Sequence, residues 1–118
     1  MPCNNVTYNH TKPSGKHEIL PACSVVTIGV NTITFQSLKK KNTGEEEPVT
    51  FTLVATSVPN AYVFSGPHDG AWIEGGITLS GVTGISGSIR RAHDPEAGFG
   101  DPHSEDTGTF SGTHNPVP

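Results

Sequence analysis

Residues 39–53 read Lys-Lys-Lys-Asn-Thr-Gly-Glu-Glu-Glu-Pro-Val-Thr-Phe-Thr-Leu, and this stretch decides the fold class. In its second part Val49, Phe51, Leu53 and then Ala55 fall on one face, with Thr50, Thr52 and Thr56 on the other. A period of two with apolar residues on one side is the pattern of an antiparallel strand that buries one face. The first part is mirror-symmetric about Asn42-Thr43-Gly44, with three lysines before it and three glutamates after. A three-residue hairpin loop needs a left-handed residue at its end, which Gly44 supplies. Such a loop predicts Lys41 opposite Glu45, Lys40 opposite Glu46 and Lys39 opposite Glu47. Each pair would contribute roughly 0.2–1 kcal/mol. The two charge runs therefore read as a solvated hairpin tip, not as separate binding patches.

The same alternation recurs on both sides. Upstream, Val26 and Ile28 alternate with Thr27 and Gly29, and Thr32-Ile33-Thr34-Phe35-Gln36 follows a tight connection at Gly29-Val30-Asn31. Downstream, Ala61 to Phe64 and Trp72 to Ser80 read as strands, the second placing Ile73, Gly75, Ile77 and Leu79 opposite Trp72, Glu74, Gly76 and Thr78. Gly81 reads as a turn, and Gly84 and Gly87 as bulges or bends in a strand that runs on to Arg90-Arg91. Thr107 to Thr113 is the last strand, followed by a short Pro-rich tail. Fourteen glycines and ten prolines in 118 residues fill the breaks, and no segment carries a helical period. The expected fold is all-β: a small antiparallel meander of about seven strands forming a closed or half-closed barrel, with a β-sandwich as the alternative. Residues 1–20 are expected to be an irregular N-terminal arm, pinned by Ile19 and Leu20, and residues 21–118 a single β domain. The expected core is Val26, Ile28, Ile33, Phe35, Val49, Phe51, Leu53, Ile73, Ile77, Leu79 and Ile89.

Composition excludes several classes. A formal charge of −4 and a pI of 5.8 oppose sequence-independent binding to nucleic acid, which needs a basic face. No run of 18 apolar residues is present, so a membrane-spanning helix is not expected, nor a membrane partner. No signal peptide is visible at Met1-Pro2-Cys3, which favours a cytoplasmic chain or leaderless export. On that basis Cys3 and Cys23 are expected to be reduced, although a bond between them would close a loop with 19 residues in between.

Two groups of residues bear on function. The first is the polar strand face of Trp72, Glu74, Thr78, Ser86, Ser88 and Arg90. With Tyr62, the residues Trp72, Glu74 and Arg90 make the candidate ligand contacts. The second is the stretch from His93 to Asp106, which carries two histidines, five carboxylates and no cation. It reads as a solvated acidic loop; as a metal clasp, its ligands would be His93, Asp94, Asp101, His103 and Asp106. Nucleophile elbows and phosphate-cradling glycine loops are missing, and no cofactor motif stands out. The sequence thus favours a non-enzymatic protein that binds a small molecule or a protein partner at a barrel mouth or on an exposed sheet face. The rival is a small β-barrel cyclase, isomerase or hydrolase in which Glu74 and His68 act as acid and base. A homodimer through an exposed edge strand is a further expectation.

Overall fold

The computed structural model describes residues 5–12, 18–40, 43–92 and 105–116. They form eleven strands: β1 (Val6–Lys12), β2 (Cys23–Ser24), β3 (Val26–Gly29), β4 (Thr32–Lys39), β5 (Glu46–Thr52), β6 (Val54–Ala55), β7 (Ala61–His68), β8 (Ala71–Ser80), β9 (Gly84–Ala92), β10 (Glu105–Thr113) and β11 (Asn115–Pro116). The protein is all-β. One sheet has the order β2-β1-β10-β9-β8-β7-β6, the other β11-β3-β4-β5. Pairing is antiparallel except between β11 and β3. Each sheet has two ends, so the described strands close no barrel. Among the described residues no helix is long and apolar enough to cross a membrane.

The two sheets meet through phenylalanine. Phe35 and Phe51 come from the small sheet, Phe64 and Phe110 from the large one. Phe35 lies 5.5 Å from Phe64 and 5.8 Å from Phe110 between ring centroids, the latter edge-on at 83°. Phe51 lies 5.4 Å from Phe64. Offset and edge-on pairs of this kind contribute about 0.5–1.5 kcal/mol each beyond the area they bury. Every residue of the expected core is in this cluster, with Ile28, Val49 and Leu79 only partly buried at its margin.

Four expectations are corrected. The arm is not irregular throughout, because β1 lies between β2 and β10 and buries Val6 and Tyr8. Two apolar residues are too few to announce a strand whose partner lies a hundred residues away. The chain near its end is not merely a tail, since Asn115 and Pro116 pair in parallel with Thr27 and Ile28. Gly84 and Gly87 are no bulges, for the β8–β9 and β9–β10 registers run through them unshifted. Glycine is required at 87 for space, as a Cβ there would meet the Gly76 carbonyl and the Phe110 ring. Finally, Cys23 is disulfide-bonded, and the sequence has one other cysteine, Cys3.

The hairpin at 39–47 exists in a different register. Lys39 pairs with Glu46 and Leu38 with Glu47, while the Lys40 amide donates to the Glu45 carbonyl at 2.9 Å. The loop is therefore one residue longer than expected, and Gly44 keeps its left-handed φ of 75°. Further down β4 the register also shifts, between Phe35 and Leu38. The extra residue sets Glu47 opposite Leu38, where an unshifted ladder would set it opposite Ser37. Lys40 and Glu45 form the ion pair at 3.7 Å, and Glu47 joins Leu38 on the side facing the other sheet.

The least expected core residue is charged. Arg91 and Asp106, opposite one another on β9 and β10, are both fully buried. Arg91 donates from Nε and Nη2 to Asp106 Oδ2 at 3.2 and 2.9 Å, and from Nη1 to the Lys39 carbonyl at 2.7 Å. Lys39 belongs to the other sheet, so this guanidinium ties the two layers together. Removing one member leaves an uncompensated buried charge. Arg91→Met or Asp106→Asn is expected to cost about 3–5 kcal/mol in urea unfolding. The double replacement is expected to cost less than the sum of the two.

Tyr8 packs beside this pair. Burial lifts its phenol pKa well above the ordinary 10.0, and the Asp106 and Glu18 carboxylates push the same way, against a backbone hydrogen bond at Ile19 and the Arg91 charge. The folded protein holds this proton more tightly than the unfolded chain does. Above pH 10 the unfolded state therefore binds fewer protons, and stability falls as pH rises. Melting temperatures of Tyr8→Phe are expected to fall less steeply above pH 10 than those of the wild type.

Candidate functional site

Alternation along β7, β8 and β9 sorts their side chains. Phe64, Gly66 and His68 face the small sheet together with Ala71, Ile73, Ile77, Ile85, Ile89 and Arg91. Val63, Ser65, Trp72, Glu74, Thr78, Ser86, Ser88 and Arg90 face outward. The polar strand face expected from the sequence is thus the exposed face of the large sheet. Directly paired residues share a side, so Ser65, Glu74 and Arg90 form one row across three strands. Gly76 and Ser88 sit in the next row with Val63.

This face carries a groove of about 690 Å³, lined by Thr52, Val54, Val63, Phe64, Ser65, Glu74, Gly75, Ser88 and Arg90. A shallower depression of about 350 Å³ runs on past Thr56, Tyr62, Gly76, Thr78 and Ser86. Glu74 and Arg90 meet through Arg90 Nη2 and Glu74 Oε1, and Arg90 Nε donates to the same oxygen at 3.0 Å. Both side chains keep solvent contact, at 32% and 47% exposure. Val54 and Val63, opposite each other on β6 and β7, expose aliphatic surface beside the pair. The groove therefore offers a charged fork, hydroxyl groups that both donate and accept, and one apolar wall.

Of the sequence candidates, Glu74 and Arg90 are brought together in the groove. Trp72 is half-buried at the next outward position of β8, outside the groove lining. The Tyr62 ring packs against the core margin, and the residue borders only the second depression. Thr52, Val54, Val63 and Ser65 were not singled out by sequence. In Ala61-Tyr62-Val63-Phe64 both faces are apolar, so alternation gives no hint that Val63 is exposed.

His68 and Glu74 are not brought together. They lie on opposite faces of the sheet, and His68 spends its Nε2 on Glu47 Oε1 at 2.6 Å, across to the small sheet. Its Nδ1 is buried without a hydrogen-bond partner among the described residues. Asp106 is engaged by Arg91 in the core, while His93, Asp94, Asp101 and His103 lie outside the described residues. Among the described residues no group of three or more His, Cys, Asp or Glu is placed to hold a metal. No family model matches the chain, and no significant match to a curated protein or a solved structure is found.

The two arginine pairs differ in what they do for stability. An exposed pair gains little over water, about 0–1 kcal/mol. Glu74→Gln and Arg90→Gln are accordingly expected to shift urea unfolding by less than about 1 kcal/mol, well below the loss expected at Arg91.

Proposed function

We propose that the two facing sheets form a β-sandwich and that the protein is a non-enzymatic binder whose site is the outer groove of β7, β8 and β9. The observation that carries this reading is the 690 Å³ groove with the Glu74–Arg90 pair in its wall. The pair contributes little to stability where it stands, yet it offers both an acceptor and a planar donor fork to a ligand. Ser65, Ser88 and Thr52 add hydroxyls, and Val54 with Val63 supplies an apolar surface for the flat side of a ring. That combination fits a neutral, hydroxyl-rich small molecule of the saccharide type. The separation of Glu74 from His68 gives the acid–base reading no support.

The test is amide-resolved NMR titration with neutral mono- and disaccharides. Shifts are expected to concentrate on Ser65, Glu74, Ser88 and Arg90, and Arg90→Ala should weaken binding at least tenfold while leaving the fold intact. Shifts absent throughout, or clustered away from these strands, would overturn the proposal.

A further inference from the structure

Every Asp, Glu, Lys and Arg of the chain falls within residues 12–18, 39–47, 69–74 and 90–106. Among the described residues these stretches lie toward one end of the two sheets. The other end is built from the turns at Val30-Asn31, Val58-Pro59-Asn60 and Gly81-Val82-Thr83. A hydrogen bond ties each turn to a strand end that lies beside it at this end of the sheets. The Asn31 carbonyl accepts from Leu53, just before β6, and the Asn60 carbonyl accepts from Leu79, just before the third turn. Thr83 accepts from His114, whose next residue pairs with Thr27 in the strand leading to Val30.

Each turn displays one valine. Val30 is 88% exposed, Val58 59% and Val82 89%. Turns ordinarily take Gly, Asn, Asp, Pro or Ser, and a β-branched residue helps none of them form. A scattered exposed valine needs no explanation, but these three share one end. The other large exposed hydrophobics among the described residues, Val54 and Val63, belong to the groove. The tips are also shaped in advance, because Asn31, Asn60 and Gly81 hold left-handed φ of 62°, 63° and 60° beside the valines.

We infer that this end docks the protein onto the interfacial zone of a lipid bilayer, with Val30, Val58 and Val82 dipping below the headgroups. Three separate aliphatic points suit a soft medium that fills the space between them, whereas a rigid protein surface would need three matched sockets. Charge placement favours the same occupant. Charges are costly to bring into a membrane, and in sequence the nearest to any tip valine is eight residues away, at Glu74 and Arg90 on either side of Val82. At about 3.3 Å per residue that is well beyond a Debye length. Among the described side chains at the far end Glu18, Glu45, Glu46, Glu47, Asp69 and Glu74 outnumber Lys39, Lys40 and Arg90, so an anionic surface would repel that end and leave this one facing it. Separate tips also escape a search for continuous apolar runs, which detects only spanning segments.

The experiment is flotation of the full chain with vesicles of pure phosphatidylcholine and with vesicles containing phosphatidylserine. Binding to phosphatidylcholine is expected, undiminished by salt. Each Val→Ser change at a tip should lower the partition coefficient about tenfold, and the triple variant should lose binding with its melting temperature unchanged. Val82→Trp should strengthen binding. No binding to phosphatidylcholine, or binding indifferent to the triple variant, would overturn the inference. So would a wild-type dimer in light scattering that the triple variant converts to monomer, since a second copy would then be the occupant.

Discussion

The buried contact between Arg91 and Asp106 is the constraint around which the charged end is organised. Two ions withdrawn from water must satisfy one another, and here the guanidinium also reaches the Lys39 carbonyl on the opposite sheet. That third bond fixes the separation and lateral position of the layers where the phenylalanine cluster gives out. It also fixes the neighbourhood of Tyr8. An apolar filling of equal volume would close the gap as well, but it would not dictate which carbonyl of β4 faces β9.

A second polar bridge lies beside a small irregularity. The register shift between Phe35 and Leu38 places Glu47 opposite Leu38 instead of Ser37, and Glu47 shares the face of Val49 and Phe51 along β5, from which its carboxylate reaches His68 on β7. The simple mirror symmetry of 39–47 would need one more shift in the same direction to bring Lys39 opposite Glu47. Alternation along β5, and not a lysine partner, thus makes Glu47 a connection between the sheets.

Much of the fold was legible because its signal is local. Strict alternation in 49–53 and 73–79 identified which side of each strand is buried, and the core residues followed. The same alternation placed Glu74 and Arg90 on one polar face. What was not legible is whatever depends on distant partners. Arg91 looks like the charged end of a strand until Asp106 and Lys39, 15 and 52 residues away, are brought to it. Val6 and Tyr8 look like isolated apolar residues until β10 lies beside them. Barrel closure was not legible on the same ground, because alternation says which side is buried and not whether the first and last strands meet.

The filling of the interior decides where binding has to occur. Phe35, Phe51, Phe64 and Phe110 occupy the space between the sheets, and Arg91 with Asp106 continues it toward the charged end. A ligand held between the layers would have to displace aromatic contacts or an ion pair. On the outer face the Ser65 and Ser88 side chains and the Glu74–Arg90 pair are in contact with solvent. Gly75 is glycine for an internal reason, since a Cβ would meet the Ser88 carbonyl and the Phe64 ring. Gly75 and Phe64 also line the groove, so the demand of the core for space there shapes the wall of the groove outside it.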